Sequence, residues 1–430
     1  MLPGSTTTES NGVSPPGAHA PWIRGEDISL SVIRIGVMIY LPAMFLPHTG
    51  FIQTLALYVP FLFWLWRRLT GREGFEALRQ PVMGWLLLWV VSLLPFVFIG
   101  PDLAYSLGNF HKTALRALIL ALLVVEGFHD PAWFRRLLAW LALMGTGVVV
   151  LFSGAIVRDI AVHDGFQGFV SSGRYRGFGD ALVILLPLVY LQARIRHGHA
   201  ATGFFLATLA LAALAVITGS RGIALAAVAP LIVLAFYNRH RVAMAGVVAA
   251  IIAGVLVFSA VFKAEVASNR MASGLYDSVR MQEIWKPSVG IWLERAPWQG
   301  FGYGLSNFER HYDDAVSTAE LQHRQGRYGL HNQLLSVAVQ AGLIGVLSTL
   351  LLAVAQVITQ LATLRRLTDP DARLVVAAIL AALIAHYGLR GLIDTVSWVP
   401  MGLILGLAAC AHTALGAGRN DLAAAPADGR

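Results

Sequence analysis

Long apolar runs separated by short polar segments set the pattern of this chain. A helix needs about 20 apolar residues to cross the hydrocarbon core of a membrane, so these runs predict roughly twelve membrane-spanning helices. They lie near residues 28–41, 50–66, 82–99, 113–127, 133–153, 178–193, 203–218, 221–237, 242–262, 332–360, 372–389 and 395–415. Backbone groups in lipid must be paired within their own segment. The predicted fold class is therefore an all-α integral membrane protein.

One polar segment is much longer than the others. It covers about 69 residues, from Lys263 to His331. Its apolar side chains recur at spacings that predict one or two amphipathic helices: Leu275, Val279, Trp285, Val289 and Trp292. Pro297 and the glycines that follow it predict a turn after these helices. The chain then divides into a disordered tail (1–27), nine helices (28–262), the long loop (263–331), three helices (332–415) and a second tail (416–430).

Composition agrees with a membrane protein and excludes an ordinary soluble enzyme. Only 13% of the 430 residues are charged, and the mean hydropathy is +0.65, whereas soluble domains carry about 25% charged residues. Basic loops follow predicted spans two, four, six, eight and ten, and all five fall on one side of the membrane. The positive-inside rule makes that side cytoplasmic. Both termini are then predicted in the cytoplasm, with the long loop on the opposite side, which is periplasmic or extracellular.

Basic residues also occur on the predicted outer side, where the same rule expects few. Arg221 lies in TGSRG, where spans seven and eight meet, and Arg390 lies in GLRGLID at the end of span eleven. Several guanidinium groups converging at one place would suit a phosphate or pyrophosphate, which arginine binds through paired hydrogen bonds. Alternatively, each arginine extends to lipid headgroups or pairs with a carboxylate. The glycines around Arg221 favour a ligand site there, because they allow close approach.

A histidine stands at the predicted entrance of span ten. His331 lies in GRYGLHNQLL, beside Asn332 and after Arg324 and Arg327. A neutral imidazole has an ordinary pKa near neutrality and can act as a general base. The alternative is that His331 only bonds a free backbone group at the helix start. Asn332 could fill that capping role equally well.

These motifs resemble the O-antigen ligases of Gram-negative bacteria, within the wider O-antigen ligase and polymerase family. The resemblance is carried by TGSRG, by VRMQEIW and GFGYG in the long loop, and by LHNQLLSVAVQAGLIG at its end. It extends from about span five to span eleven, and the His-Asn motif is its most specific part. In this family the ligase transfers O-antigen polysaccharide from undecaprenyl pyrophosphate to a terminal sugar of the lipid A–core. The reaction takes place on the periplasmic face of the inner membrane.

The resemblance also implies particular residues and partners. The residues expected to act in catalysis are His331, Arg221 and Arg280. Those expected to bind substrate are Arg174, Arg176, Arg324, Arg327 and Arg390. Family members often have Gly-Asn or Pro-Asn after the basic pair, whereas this chain has Gly179–Asp180. The implied partners are undecaprenyl-pyrophosphate-linked O-antigen, the lipid A–core acceptor and inner-membrane lipids, with no nucleic acid and no cofactor.

The chemistry of these residues predicts a metal-independent reaction that inverts the anomeric carbon. Fixed guanidinium charge can offset the leaving pyrophosphate without a metal ion. A retaining reaction would need a carboxylate nucleophile, and the motifs contain none. Three carboxylates elsewhere could still reach the site once the chain folds: Asp180, Glu294 and Asp394.

Other interpretations stay open at this point. Asp369–Asp371 resembles a metal-binding Asp-x-Asp motif, but Asp-Pro before an apolar run is typical of a helix start. His311, Asp313 and Asp314 offer a second candidate metal site. An O-antigen polymerase or a protein O-oligosaccharyltransferase would use the same donor with another acceptor. A transporter of lipid-linked oligosaccharide is disfavoured, because no internal repeat is visible.

Overall fold

The structure is a computed structural model that describes residues 25–46, 48–70, 80–162, 176–217, 220–239, 280–315 and 329–416, with a few residues between 245 and 252. Throughout this described part the regular structure is helical, without strands. The helices are α1 (Gly25–Phe45), α2 (Gly50–Leu69), α3 (Pro81–Val97), α4 (Leu103–Phe128), α5 (Pro131–Val162), α6 (Arg176–Ile195), α7 (Gly198–Ile217), α8 (Arg221–Tyr237), α9 (Lys286–Arg295), α10 (Ser306–Ala315), α11 (Gln333–Arg366), α12 (Pro370–Ile393) and α13 (Val399–Gly416).

Three π-helical turns belong to these elements. One lies within α4 at His111–Leu115, one precedes α9 at Arg280–Trp285, and one lies near the end of α12 at Ile384–Arg390. A π turn widens a helix by one residue and is frequent at functional sites. Two of the three begin or end at an arginine singled out from the sequence.

Hydropathy located the membrane helices well. Eleven of the twelve predicted ranges fall on helices, and the remaining range, 242–262, lies almost wholly outside the described residues. By length and composition, seven helices can cross a membrane: α1, α4, α5, α6, α7, α11 and α12. Helices α3, α8 and α13 are apolar but shorter. The all-α membrane fold is therefore confirmed, whereas the count of twelve spans stays a prediction.

Helix α6 lies at the centre of the bundle. Its residues from Ala181 to Leu191 are fully buried or nearly so, and it packs against α5, α7, α8 and α12. A helix that is apolar on every side is covered either by neighbouring helices or by lipid, and here neighbouring helices cover it. This central position brings the first turn of α6, with Asp180, into the middle of one end of the bundle.

Helices α4 and α13 make the most extensive contact because small residues let their backbones approach. A Cβ atom at Gly402 would overlap the carbonyl of Ala117, and one at Gly406 would lie 2.7 Å from Cβ of Val124. Small residues at a spacing of four are a common device for close packing of membrane helices. A larger side chain at either glycine would push α13 away from α4.

Helix α11 is interrupted at Gly342, where φ is 59° and ψ is −161°. The loop after α9 supplies the hydrogen bonds that the interruption removes. The amide of Phe301 donates to the carbonyl of Val339 at 2.8 Å, and the amide of Leu343 donates to the carbonyl of Pro297 at 2.8 Å. Unpaired backbone groups are costly at membrane depth, so the loop and the broken helix stabilise each other.

The same loop is also bound to α3. The amide of Tyr303 donates to the carbonyl of Phe96 at 2.9 Å. The next amide, that of Gly304, donates to Oε1 of Gln340 in α11 at 2.8 Å. Glycines at 300, 302 and 304 all have positive φ, which agrees with the turn predicted from the sequence. The segment from 296 to 304 is therefore fixed between two helices of the bundle.

Candidate active site

One end of the bundle collects the starts of α6, α8 and α11 and the end of α12. Glycines allow these helix ends to touch. A Cβ atom at Gly222, the second residue of α8, would lie 3.2 Å from Cγ2 of Ile393. A Cβ atom at Gly179, in the first turn of α6, would lie 3.4 Å from Nη2 of Arg390. The polar residues at these four helix ends consequently share one region.

His331 and Asp394 form a hydrogen-bonded pair in this region. Nδ1 of His331 lies 2.9 Å from Oδ1 of Asp394, and the two side chains are 27% and 26% exposed. The amide of Thr395 donates to the same carboxylate oxygen at 2.9 Å. An ionised carboxylate only accepts hydrogen bonds, so Nδ1 carries the proton of the neutral ring. The lone pair then resides on Nε2, which is the nitrogen that can act as a base.

The electrostatics of Asp394 favour its ionised form. Burial raises its pKa, but the hydrogen bond and charge of His331, the amide of Thr395 and the charge of Arg390 lower it more. The net result is a pKa below the ordinary value of 3.8. Asp394 is therefore a carboxylate at any pH near neutrality, and it fixes both the tautomer and the orientation of the ring.

Asn332 caps α11, so His331 does not fill the capping role that was its alternative interpretation. The side chain of Asn332 accepts a hydrogen bond from the amide of Leu335 at 2.9 Å, as expected for a residue at a helix N-terminus. His331 precedes the cap, and its φ of 48° is unusual for a residue with a side chain. This backbone conformation directs the ring to Asp394 and leaves the capping role to its neighbour.

Residues next to His331 also hold the segment that carries Asp394. Nδ2 of Asn332 donates to the carbonyl of Leu392 at 3.1 Å. Oε1 of Gln333 accepts from the amide of Val396 at 2.9 Å. Together with the His331 pair, three consecutive side chains bind the connection between α12 and α13. The predicted span 395–415 accordingly begins later, at Val399.

The free nitrogen of His331 faces a glycine. A Cβ atom at Gly329 would lie 3.0 Å from Nε2. Any side chain at this position would crowd the ring nitrogen, so the glycine leaves room for a small group beside it. A sugar hydroxyl is a group of suitable size.

A second carboxylate lies beneath this pair. Nη1 of Arg390 donates to Oδ1 of Asp180, and Nδ1 of His386 lies 3.6 Å from the same oxygen. Arg390 is 4% exposed and His386 is fully buried. A buried charge needs such a partner. The charge of Arg390 also lowers the pKa of Asp394, so the two pairs are in electrostatic contact.

The predicted catalytic residues Arg221 and Arg280 and the predicted binding residue Arg176 are each the first residue of a helical segment. Arg221 is the first residue of α8, immediately before Gly222, and Arg176 is the first residue of α6. Arg280 begins the π turn before α9, and Nε1 of Trp285 in that turn donates to the carbonyl of Leu330 at 2.6 Å. Three predicted residues lie outside the described part of the chain: Arg174, Arg324 and Arg327.

An apolar cavity of about 240 Å³ opens beside the polar region. It lies between α11, α12 and α13. Gln333 and Leu392 line it at the end near His331, and Leu352, Trp398 and Leu405 line it further along the helices. A hydrocarbon chain in this cavity would have its polar end next to the His331–Asp394 pair.

The two candidate metal motifs have other roles or partners. Asp369 caps α12 through the amides of Asp371 and Ala372, at 3.3 and 3.1 Å, so the interpretation as a helix start is confirmed. His311 packs on Phe301 with ring centroids 4.6 Å apart. Within the described ranges, no three His, Cys, Asp or Glu side chains are grouped so that they could hold a metal ion.

Sequence reasoning named three carboxylates that could reach the site as nucleophiles, but it assigned none of them as a partner of His331. Asp394 bonds the ring, Asp180 bonds Arg390, and Glu294 is exposed near the end of α9. The pair is separated by 63 positions, so no short spacing marks it. The available signal was that Asp394 is the only one of the three in a short connection between two predicted spans, 372–389 and 395–415, on the same predicted side as His331.

The fold is that of a helical membrane protein. At one end of its bundle lie the His331–Asp394 pair and arginines at or near the ends of helices. Residues 206–350 match the model of a family described as O-antigen ligase. This match supports assigning the chain to the O-antigen ligase family, and the resemblance predicted from the motifs is confirmed. The matched range includes Arg221, Arg280 and His331, whereas Asp394 lies beyond it. No curated protein sequence matches the chain.

Proposed function

We propose that this protein is an O-antigen ligase. It transfers O-antigen polysaccharide from undecaprenyl pyrophosphate to a hydroxyl group of the lipid A–core, on the periplasmic face of the bacterial inner membrane. The observation that carries the proposal is the His331–Asp394 pair, with Nδ1 bonded to the carboxylate and Nε2 free. The family match supports the broader assignment to glycosyl transfer of the O-antigen ligase type.

His331 acts as the general base. The acceptor oxygen forms a bond to the anomeric carbon of the donor while the bond from that carbon to the pyrophosphate oxygen breaks. The hydroxyl proton moves to Nε2 of His331, and the bonding electron pair leaves with the pyrophosphate. The imidazolium that forms is stabilised by Asp394 through the Nδ1 proton, as in other His–carboxylate pairs.

The arginines stabilise the leaving group. Negative charge develops on the lipid pyrophosphate, and fixed positive charge is most effective where such charge appears. We assign this role to Arg221 and Arg280, with Arg174, Arg176, Arg324 and Arg327 as further substrate-binding residues. Arg390 is held by Asp180, so its contribution to substrate binding comes through its charge at the base of the site. No metal ion is needed in this scheme.

We assign the isoprene units nearest the pyrophosphate of the donor to the apolar cavity between α11, α12 and α13. That cavity begins at Gln333, two residues from His331, and continues among apolar side chains. An isoprenoid chain lying there would place its pyrophosphate next to the start of α8, at Arg221, and the last turn of α12, which contains Arg390. The reacting carbon would then be within reach of the acceptor at His331.

A single displacement inverts the anomeric carbon, because the acceptor attacks opposite the leaving group. Asp394 is hydrogen-bonded to His331 and Asp180 is paired with Arg390, and we assign the nucleophile's role to neither carboxylate. An α-linked donor is expected to give a β-linked product. NMR of the new linkage beside that of the donor tests this step, and an unchanged configuration would rule out single displacement.

The orientation follows from the basic loops. We propose that both termini lie in the cytoplasm and that the end of the bundle with His331 faces the periplasm. Cysteine labelling of single sites in loops on each side, in intact cells, measures this directly.

A deletion strain complemented with variants tests the function. The expected result is loss of O-antigen from the lipid A–core, with polymer accumulating on its lipid carrier. Wild-type protein should restore the product and His331→Ala should not. Core carrying one repeat unit would indicate a polymerase, and unchanged lipopolysaccharide with lost glycoproteins would indicate a protein O-oligosaccharyltransferase. A deletion strain with normal O-antigen on its core would overturn the proposal.

A further inference from the structure

A second cavity, which has charged residues at its rim, lies at the end of the bundle opposite His331. Helix α6 begins at Arg176 near the candidate site and ends beside this cavity, and α12 begins at the cavity and ends near Asp394. Since a helix of 20 residues is about 30 Å long, the two regions are separated by the thickness of a membrane. The cavity has a volume of about 380 Å³ and is bounded by α5, α6, α12 and α13.

The rim of this cavity carries charges of both signs that are not paired with each other. Arg135 and Arg196 line it from α5 and from the end of α6, and Asp369 and Asp371 line it from the start of α12. In the part of the chain that the structure describes, neither arginine forms a salt bridge with either aspartate. All four side chains are exposed and exposed ion pairs contribute little, so charges of both signs stay accessible to a ligand. A ligand with both charges would bridge the gap.

Two of these groups are oriented by neighbouring residues. Nε of Arg196 donates to Oε1 of Gln192 at 3.1 Å, and Gln192 is 1% exposed. This bond leaves the two Nη groups of Arg196 available for a ligand. Asp369 accepts the amides of Asp371 and Ala372, so it is committed to the helix cap. Asp371 is exposed and keeps its carboxylate for a cation.

The walls of the cavity are apolar. Phe134, Leu138, Val375 and Leu415 line it behind the charged rim. The first three of these side chains belong to helices that are apolar enough to cross a membrane. An occupant therefore meets charges at one end and hydrocarbon at the other, which is the chemical division of a phospholipid at a membrane surface.

We infer that this cavity binds a phosphate ester that carries a primary ammonium group, as in the headgroup of phosphatidylethanolamine. Arg135 and Arg196 bind the phosphate, Asp371 binds the ammonium, and the acyl chains lie against the apolar wall. A primary ammonium donates up to three hydrogen bonds, whereas the quaternary ammonium of phosphatidylcholine donates none. An anionic lipid such as phosphatidylglycerol satisfies the arginines but brings no ammonium group for Asp371.

The inference concerns lipid binding and does not depend on glycosyl transfer. The proposed orientation only adds that the site faces the cytoplasmic leaflet. Native mass spectrometry of the full-length protein, released from vesicles with equimolar phosphatidylethanolamine, phosphatidylglycerol and phosphatidylcholine, measures which lipid is retained. We expect phosphatidylethanolamine to be retained preferentially. Equal retention of all three lipids would overturn the inference.

Substitutions of the charged rim residues test whether the retained lipid is bound in this cavity. Arg196→Gln and Arg135→Gln should each lower the retained phosphatidylethanolamine about tenfold, as expected for loss of a charge-assisted hydrogen bond. Asp371→Asn should lower it similarly but leave phosphatidylglycerol binding unchanged or increased. Arg136→Gln is the matched control, because Arg136 is adjacent, exposed and placed over the Trp133 ring at 4.4 Å, outside the cavity. An equal loss in the control would show that the effect is general surface charge.

Soluble glycerophosphoethanolamine separates the two sources of this chemistry. If it fails to displace the lipid at millimolar concentration, the occupant is a membrane lipid, as we infer. If it displaces the lipid and the three cavity variants weaken its binding, the amine–phosphate site stands and a soluble ligand fills it. If neither the lipid nor the soluble ester responds to the three cavity variants, the assignment of the cavity is wrong.

Discussion

At the scale of single residues, the most informative feature is which nitrogen of His331 is free. Asp394 binds Nδ1 and Gly329 borders Nε2. A ring held in this manner is prepared to accept a proton on one side and to share the resulting charge on the other. The neighbouring Asn332 performs the helix capping, so a purely structural role for the histidine is not needed.

Substitutions of the pair should affect transfer and not membrane insertion. His331→Ala is expected to abolish transfer, because it removes the proposed base that takes the acceptor proton. Asp394→Asn should lower kcat at least about tenfold with little change in KM, since the ring stays but its tautomer is no longer fixed. Transfer of polymer by purified protein measures both constants. His199→Ala, at an exposed position at the start of α7, is the control, and normal transfer by His331→Ala would refute the base assignment.

The pKa of Asp394 predicts how acid affects stability. This pKa is below 3.8 in the folded protein, so the folded state holds its proton less tightly than the unfolded chain. The carboxylate therefore contributes stability that is complete above the unfolded pKa and is lost as pH falls through the folded pKa. Thermal unfolding in detergent should show a steeper loss of Tm below about pH 4 for wild type than for Asp394→Asn. Identical acid profiles would contradict the prediction.

The arginines should depend on shape as well as charge. Lysine at position 221 or 280 keeps the charge but lacks the planar fork that binds two phosphate oxygens. Arg221→Lys and Arg280→Lys are expected to retain less than about a tenth of wild-type transfer at equal expression. Arg295→Lys, at the exposed end of α9, should behave like wild type. Full activity of the first two variants would mean that charge alone suffices.

At the scale of elements, the break in α11 is the most specific feature. Gly342 has a positive φ, and a Cβ atom there would overlap the carbonyl of Trp298. The adjacent loop has the same restriction, because a Cβ atom at Gly300 would lie 2.6 Å from the amide nitrogen of Ala341. Gly342 in α11 and Gly300 in the loop thus lie on opposite sides of one contact. Together they allow the loop to make the hydrogen bonds that a regular turn of helix would have made.

Alanine at the break should destabilise the protein. Gly342→Ala is expected to lower the free energy of unfolding by about 1–3 kcal/mol, because it combines an unfavourable φ with a backbone clash. Gly84→Ala in α3 is the matched control, since nothing lies within 4 Å of its Cβ position. That variant should be neutral or slightly stabilising. Thermal unfolding of both variants in the same detergent measures the difference in stability. Equal Tm values would show that alanine is tolerated at Gly342.

At the scale of the whole molecule, the question is where positive charge for the leaving group comes from. Arg176 and Arg221 begin helices at the end of the bundle where Arg390 also lies, and we expect arginine charge to replace a divalent cation. Transfer by purified protein should be unchanged by EDTA and by added Mg²⁺ or Mn²⁺. Activity that is lost with EDTA and restored by either ion would contradict this and direct attention to the residues near His311.

The sequence predicted the helices better than their contacts. Apolar length alone located eleven of the twelve predicted ranges on helices, since spanning a membrane requires that length. Hydropathy carries no information on Gly342, because a broken apolar helix has the same composition as a straight one. The His331–Asp394 pair likewise depends on how α11 and α12 meet. The resemblance indicated His331, but only the folded chain identifies its partner and assigns the cap to Asn332.

The loop that repairs α11 has a mechanical consequence. Phe301 and Pro297 are hydrogen-bonded to the helix on both sides of Gly342, and Tyr303 is bonded to α3. Trp285, ahead of the same loop, is bonded to the carbonyl that precedes His331. If α11 tilts as the bilayer becomes thinner or thicker, the loop is carried along with it as one unit. The spacing between the histidine and the residues of α9 is thereby kept constant while the surrounding lipid varies.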